Sequence, residues 1–343
     1  MLARIASTLY WTGRYIERSE HLARYLRVQY FSMLDAPMSQ SKDFILKSIL
    51  NMYGSEWEEG EELVESQVLQ RVGMDYSVPT SIRATVKAAR ENAGSVRHVI
   101  STELWEAINT FYVNSHATDP EDFAVRGLYD YTFEVSRQCA IIRSRIHDTL
   151  LHDESWVFVK LGIHLERVAQ VIRIINAKLN DGDVISDRGG PDENKILKLY
   201  QHTILLKVLE GFDMHRRAYR RKQTRRTTLE FLIANPEFSR SVTYNMDRVV
   251  GLLARLHGKS DVRDPAQFRA GKLLSYFRYI DYDQISDDPI DALNNALSEV
   301  YALHDDIERT YFNPVETDST LPRQSQTQSN GAQSQTQVTN TPG

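Results

Sequence analysis

The sequence predicts an all-α protein. Apolar residues recur at helical spacing along nearly all of its 343 residues, strand-like runs are almost absent, and helix-starting residues precede several of the periodic segments. The expected form is an elongated multi-helix bundle with an internal pseudo-two-fold repeat and a disordered carboxy-terminal tail. A composition of 41% hydrophobic and 25% charged residues suits a globular core.

The first helix is read from Leu2 to about Leu34, where Leu2, Ile5, Leu9, Ile16, Leu22 and Leu26 share a face. Pro37 ends it, and a weaker segment follows from Lys42 to Tyr53. The acidic run Glu56 to Glu65 reads as a solvated helix face. Pro79-Thr80-Ser81 opens a helix from Ile82 to Ile100, and another runs from Ser101 to about Tyr112. Thr118-Asp119-Pro120 begins the next, to about Leu150. Asp153 and Glu154 begin one that reaches Leu179, where Asn180 to Asp183 is read as a stop.

Gly189, Gly190 and Pro191 mark a hinge, so a sub-boundary is expected near 181–193 within a helical domain covering 1–315. Further helices are expected over Asn194 to Lys222, Thr227 to Ala234, Arg240 to Leu256, Pro265 to Ser275 and Asp288 to Phe312. From about Glu316 to Gly343 the Gln, Ser and Thr repeats carry too little apolar surface to offset ordering, and disorder is expected.

Forty-one Lys and Arg against 46 Asp and Glu give a formal net charge of -5, so no global field draws nucleic acid or acidic membrane, and neither is expected as a partner. Cys139 is the only cysteine, which excludes an intramolecular disulfide and suggests a buried thiol. Arg4, Arg14, Glu17 and Arg18 interrupt any signal-like apolar run near the amino terminus, and no later stretch has the length of a membrane span. A cytoplasmic location is the expectation.

A repeat stands out inside two of the helices. Gly13-Arg-Tyr-Ile-Glu17-Arg18 and Gly162-Ile-His-Leu-Glu166-Arg167 match at glycine, apolar residue, Glu and Arg, and Arg24 and Arg173 follow at the same distance from their Glu. Arg14, His21 and Arg24 share a stripe with Glu17, so these residues, with Arg18, Arg167 and Arg173, are candidate ligand-binding groups. Two readings stay open: crossed Glu to Arg bridges that hold the bundle in register, or an internal polar cavity that receives a ligand. Either way, the two helices should pack together about a pseudo-two-fold axis. Arg90 and Glu91, with Arg97 and Glu103, form a looser third set, which makes Arg90 a further binding candidate and Glu91 a catalytic candidate beside Glu17 and Glu166.

Complete catalytic motifs are missing from the sequence. It contains no phosphate-binding glycine loop, no dinucleotide fingerprint, no zinc spacing and no Glu-x-x-His pair of the di-iron type, so no cofactor or metal is expected. The most basic stretch, Arg216, Arg217, Arg220, Arg221, Arg225 and Arg226, is read as a helix end whose Arg217, Arg220 and Arg221 share a face, a candidate surface for an anion or an acidic partner.

The segments YWTGRYIERSEHLARYL, KAARENAGSVR, STELWEAIN, LGIHLERV and ANPEFSRSV occur in an order that resembles the bacterial alpha-E family, also known as DUF403, over residues 1–312. That resemblance implies an all-α domain that acts with a circularly permuted ATP-grasp protein, often beside a transglutaminase-like peptidase, in the synthesis or modification of a peptide. It places Glu17, Arg18, Glu91, Glu166 and Arg167 at the family's recurring acidic and basic helix positions. The chain carries no ATP-grasp segment, so the partner is expected to act in trans. The expected function is that of a helical accessory protein binding the ligase or its substrate. The alternative is an enzyme of amide or isopeptide chemistry at a cavity lined by Glu and Arg.

Overall fold

The computed structural model describes residues 1–35, 41–55, 57–58, 60, 62–186, 191–220, 223–257, 264–282 and 289–313. Among these residues every regular element is a helix. In chain order they are α1 (Ala3–Asp35), α2 (Lys42–Tyr53), α3 (Glu65–Gly73), α4 (Ile82–Ser95), α5 (Thr102–Ala117), α6 (Pro120–Asp122), α7 (Leu128–Thr149), α8 (Glu154–Ser186), α9 (Pro191–Val208), α10 (Phe212–Ala218), α11 (Arg225–Ile233), α12 (Val242–His257), α13 (Pro265–Arg278) and α14 (Pro289–Ile307). Two π-helical turns, Phe123–Gly127 and Glu308–Phe312, precede α7 and follow α14. The starts follow local chemistry. The hydroxyls of Ser41, Ser81 and Ser101 and the carboxylate of Asp264 accept from amides of the first turn, and Asp119 with Pro120 opens α6.

The long helices α1 and α8 pack on each other at the centre, and the rest falls into two matching sets around them. α4, α7 and α2 pack on α1 as α12, α14 and α9 pack on α8, and α5 bridges α4 and α7 as α13 bridges α12 and α14. The crossing is held by the glycines of the repeat. A Cβ on Gly13 would overlap the carbonyl oxygen of Val159, and a Cβ on Gly162 would overlap that of Tyr10, so each helix meets the other's backbone at the equivalent position. The expected packing of the two repeat helices about a pseudo-two-fold is therefore present, and the halves join between α7 and α8.

Three expectations about elements are corrected. α8 does not stop at Leu179 but runs to Ser186, where Lys178 and Asp181 bond one turn apart at 2.7 Å and leave no polar break. The stretch expected as one helix over Asn194 to Lys222 divides at Leu209 to Gly211, where Glu210 adopts a left-handed conformation with φ 53°. Arg217 and Arg220 do not share one helix face, because α10 ends at Ala218. Arg216 and Arg217 close α10, exposed Arg220 follows it, Arg225 and Arg226 open α11, and Arg221 lies outside the described residues. The expected hinge glycines and the tail from 316 also fall outside them. No described helix is long and apolar enough to cross a membrane.

Candidate functional site

The reciprocal glycines bring the two Glu-Arg steps into register, and each carboxylate bonds the other helix's guanidinium. Arg167 donates through Nε and Nη2 to the two oxygens of Glu17 at 2.6 and 2.8 Å. Arg18 donates through the same pair of nitrogens to Glu166 at 2.7 and 3.0 Å. Fork-to-fork pairing of this kind fixes both distance and plane. The second partner of each carboxylate also obeys the symmetry: His21 reaches Glu17 at 3.0 Å, and Gln170, its counterpart on α8, donates to Glu166 at 2.8 Å.

Around this common core the two ends differ. At the Glu166 end, Arg14 adds a fourth bond at 2.7 Å and also donates to the Tyr10 hydroxyl, which meets His304 Nδ1 at 3.0 Å. Glu166 is 1% exposed and Arg14 5%. Burial by itself would raise the Glu166 carboxyl, but Arg18 and Arg14 outweigh it and hold the group well below the usual carboxylate range.

The Glu17 end is a larger network. Arg24 donates to Glu20 at 2.8 Å and to the Val208 carbonyl freed by the break after α9. Arg143 and Arg240 also bond Glu20, and Arg240 reaches the left-handed Glu210. Burial opposes ionisation of Glu20, yet the surrounding arginines bring its carboxyl down to about 2. A charged Glu17 requires that His21 Nε2 donate, and the unprotonated Nδ1 then accepts from Arg24 Nη2 at 3.2 Å. His21 is thus a neutral relay with a fixed tautomer.

Of the sequence-derived candidates, the structure gathers Arg14, Glu17, Arg18, His21, Arg24, Glu166 and Arg167 around the crossing. Arg173 stands apart, donating to the Met52 carbonyl at 2.9 Å. Glu91, from the looser third set, lies apart from Glu17 and Glu166: it is 59% exposed on α4 beside Lys87. Arg90 bonds Asn109 and lies over the Tyr112 ring at 4.6 Å. Glu20, Arg143, Glu210 and Arg240 went unrecognised. The i,i+4 spacing of Glu20 and Arg24 was a readable signal for the first, and Arg240 lies within the segment ANPEFSRSV. His304, Asp305 and Glu308 place their ligating atoms within 4.8 Å of one another, the one such group found among the described residues, although two of the three are exposed.

Burial makes the core sensitive to acid. His21 and His304 are lowered to about 4 and His164 to about 3, by desolvation first and then by Arg24, Arg14 and Lys160 respectively. Below the unfolded value near 6.5 the unfolded chain takes up protons that the folded chain refuses, so stability declines as pH falls from about 6.5 towards 4. A urea midpoint that is level above pH 7 and drops through this window is the expected result. His21→Gln, which installs the residue its pseudo-symmetric partner position already holds, should reduce the slope. An unchanged slope would reject the neutral-relay assignment.

Uncharacterized proteins of Mycobacterium bovis and Mycobacterium tuberculosis are 21% identical to this chain over 318 residues, covering 87% of it and 35% of each relative. The chain thus spans about a third of the length of the curated relatives it matches. No solved structure gives a significant match. The family model described as a predicted alpha-helical domain with a conserved ER motif matches residues 1–312, a span that holds both Glu17-Arg18 and Glu166-Arg167, and the chain belongs to this Alpha-E family.

Proposed function

We propose that this chain is a helical partner protein of an ATP-grasp amidoligase system for peptide synthesis or modification, and that it works by binding the ligase or its substrate. The observation that carries this reading is the saturation of the ER motif. Both carboxylates are buried and occupied by guanidinium donors from the opposite helix, so neither presents a base or acid to a substrate. Such pairs give geometry rather than turnover, because they fix how the two halves sit and therefore how their outer surfaces are presented. The choice of an ATP-grasp partner, with a transglutaminase-like peptidase as a second, rests on the family resemblance. The rival reading, amide chemistry at a Glu and Arg cavity, loses Glu91 to the surface and finds Glu17 and Glu166 sealed.

The test is reconstitution with the ATP-grasp protein from the native host, following ATP hydrolysis and amide product with and without this chain. The chain alone should form no amide, and adding it should raise product formation by the ligase. Replacing exposed Arg216, Arg217 and Arg220 together by Gln should weaken that effect if the basic segment is the docking surface, with the melting temperature unchanged. Amide formation by the chain alone would favour the enzyme. A ligase that neither responds to the chain nor captures it after cross-linking would reject the partnership.

A further inference from the structure

Beside the Glu17 network lies a cleft of about 510 Å³ between α8 and α12, to which His147 in the last turn of α7 also contributes. Lys160 and His164 stand one turn apart on α8, and Tyr244, Arg248 and Arg255 line the facing side of α12 at near-helical intervals. Gly251 sits among them, and a Cβ there would meet nothing, so the missing side chain helps keep the space open.

The lining is cationic and aromatic. Lys160 makes no ion pair among the described residues and lies 5.9 Å from the centre of the Trp156 ring, over which Arg255 also sits at 5.2 Å. The one acid in the lining, Asp247, is exposed and faces Arg278 at 3.2 Å. His164 Nδ1 meets Asn245 Oδ1 at 2.9 Å, and the Asn245 amide nitrogen is committed to the Ser239 and Ser241 carbonyls. Nδ1 therefore carries the proton, and Nε2 keeps a lone pair. The Trp156 indole N–H is buried and has no partner. A largely buried ammonium without a carboxylate is costly, and so is an unbonded buried donor. Burial and then nearby Arg167 bring Lys160 down to about 8, which still leaves it mostly charged at neutral pH.

We infer that this cleft is a binding site for a small organic dianion, its oxyanion held by Lys160 and Arg248 and its flat apolar body against Trp156 and Tyr244. Lys160, Arg248 and Arg255 face a single acid, Asp247, which is already paired with Arg278, so the site carries a surplus of positive charge that a doubly charged oxyanion offsets, whereas a neutral ligand leaves Lys160 unpaired. Phosphate monoesters and dicarboxylates share this chemistry. The inference stands apart from the ligase partnership, because it concerns the isolated chain.

Calorimetric titration of the purified full chain with phenyl phosphate, inorganic phosphate, succinate and benzyl alcohol tests it. Phenyl phosphate should bind at least about tenfold more tightly than inorganic phosphate, benzyl alcohol should give no heat, and Lys160→Met should weaken phenyl phosphate by about tenfold or more. Succinate binding more tightly than phenyl phosphate would overturn the placing of a flat apolar body against Trp156 and Tyr244 and leave only a dicarboxylate-binding cationic site. Should the variant not fold, the Lys160 ammonium can be followed by NMR in the wild-type chain, where bound phenyl phosphate should raise its pKa above about 8. The inference is overturned if no dianion binds at millimolar concentration, if benzyl alcohol binds as well as phenyl phosphate, if Lys160→Met binds unchanged, or if the Lys160 titration does not move.

Discussion

Glu166→Ala is expected to lower the free energy of unfolding by about 3–5 kcal/mol, as breaking a buried ion pair from one side generally does. The carboxylate neutralises two guanidinium groups at once, Arg14 and Arg18, and Arg14 has no second carboxylate within bonding distance among the described residues. Removing it leaves Arg14 charged and buried, with only the Tyr10 hydroxyl as a bonded acceptor, and takes from Gln170 Nε2 its acceptor. Urea denaturation followed by circular dichroism measures the loss, and Glu91→Ala is the control, expected within about 0.5 kcal/mol of wild type because its side chain is exposed. Replacing Arg14, Arg18 and Glu166 together by Met should recover much of the loss, since apolar residues of similar volume often serve as well as a buried ionic cluster. A Glu166→Ala chain within 1 kcal/mol of wild type would mean that these arginines are solvated, contrary to the geometry.

The crossing of α1 and α8 was legible because two signals coincide there: matched glycines that permit backbone contact, and a Glu-Arg step repeated at the same offset from each glycine. Which Arg meets which Glu was not legible. Arg24 shares a stripe with Glu17, yet two helical turns are too far for a direct bond, and Arg24 instead takes Glu20 one turn away. The break after α9 has no local sequence signal, because apolar periodicity runs straight up to Leu209, and only the tertiary partners Arg24 and Arg240 reward Glu210 for leaving the helix. Gly182 misled in the opposite direction. It resembles a helix stop, but α8 continues through it to Ser186, since a single glycine within a helix costs only about 1 kcal/mol. The cleft at Lys160 was invisible to motif reading because its lining residues come from separate helices at ordinary spacing, with no local signature.

Gly13→Ala and Gly162→Ala should each destabilise the protein by about 3 kcal/mol or more, against the sign that helix propensity assigns to the same change. In an exposed helix, Ala in place of Gly gains up to about 1 kcal/mol. Here the new methyl would collide with a main-chain carbonyl of the opposite helix, Val159 in one case and Tyr10 in the other, and a carbonyl cannot turn aside as a side chain can. Relief requires α1 and α8 to separate, which stretches the Arg167–Glu17 and Arg18–Glu166 forks together, so packing and electrostatic losses add. Gly251→Ala and Gly271→Ala supply the contrast, since a Cβ at either helical position meets nothing, and both should hold or raise the melting temperature. The double variant Gly13→Ala/Gly162→Ala is expected not to fold cooperatively, because both sides of the pseudo-two-fold contact are wedged apart. Thermal unfolding of the four single variants and the double distinguishes the cases. Equal melting temperatures for Gly13→Ala and Gly251→Ala would show that the crossing tolerates a methyl group and that the ER forks, rather than the glycines, set the distance between the helices.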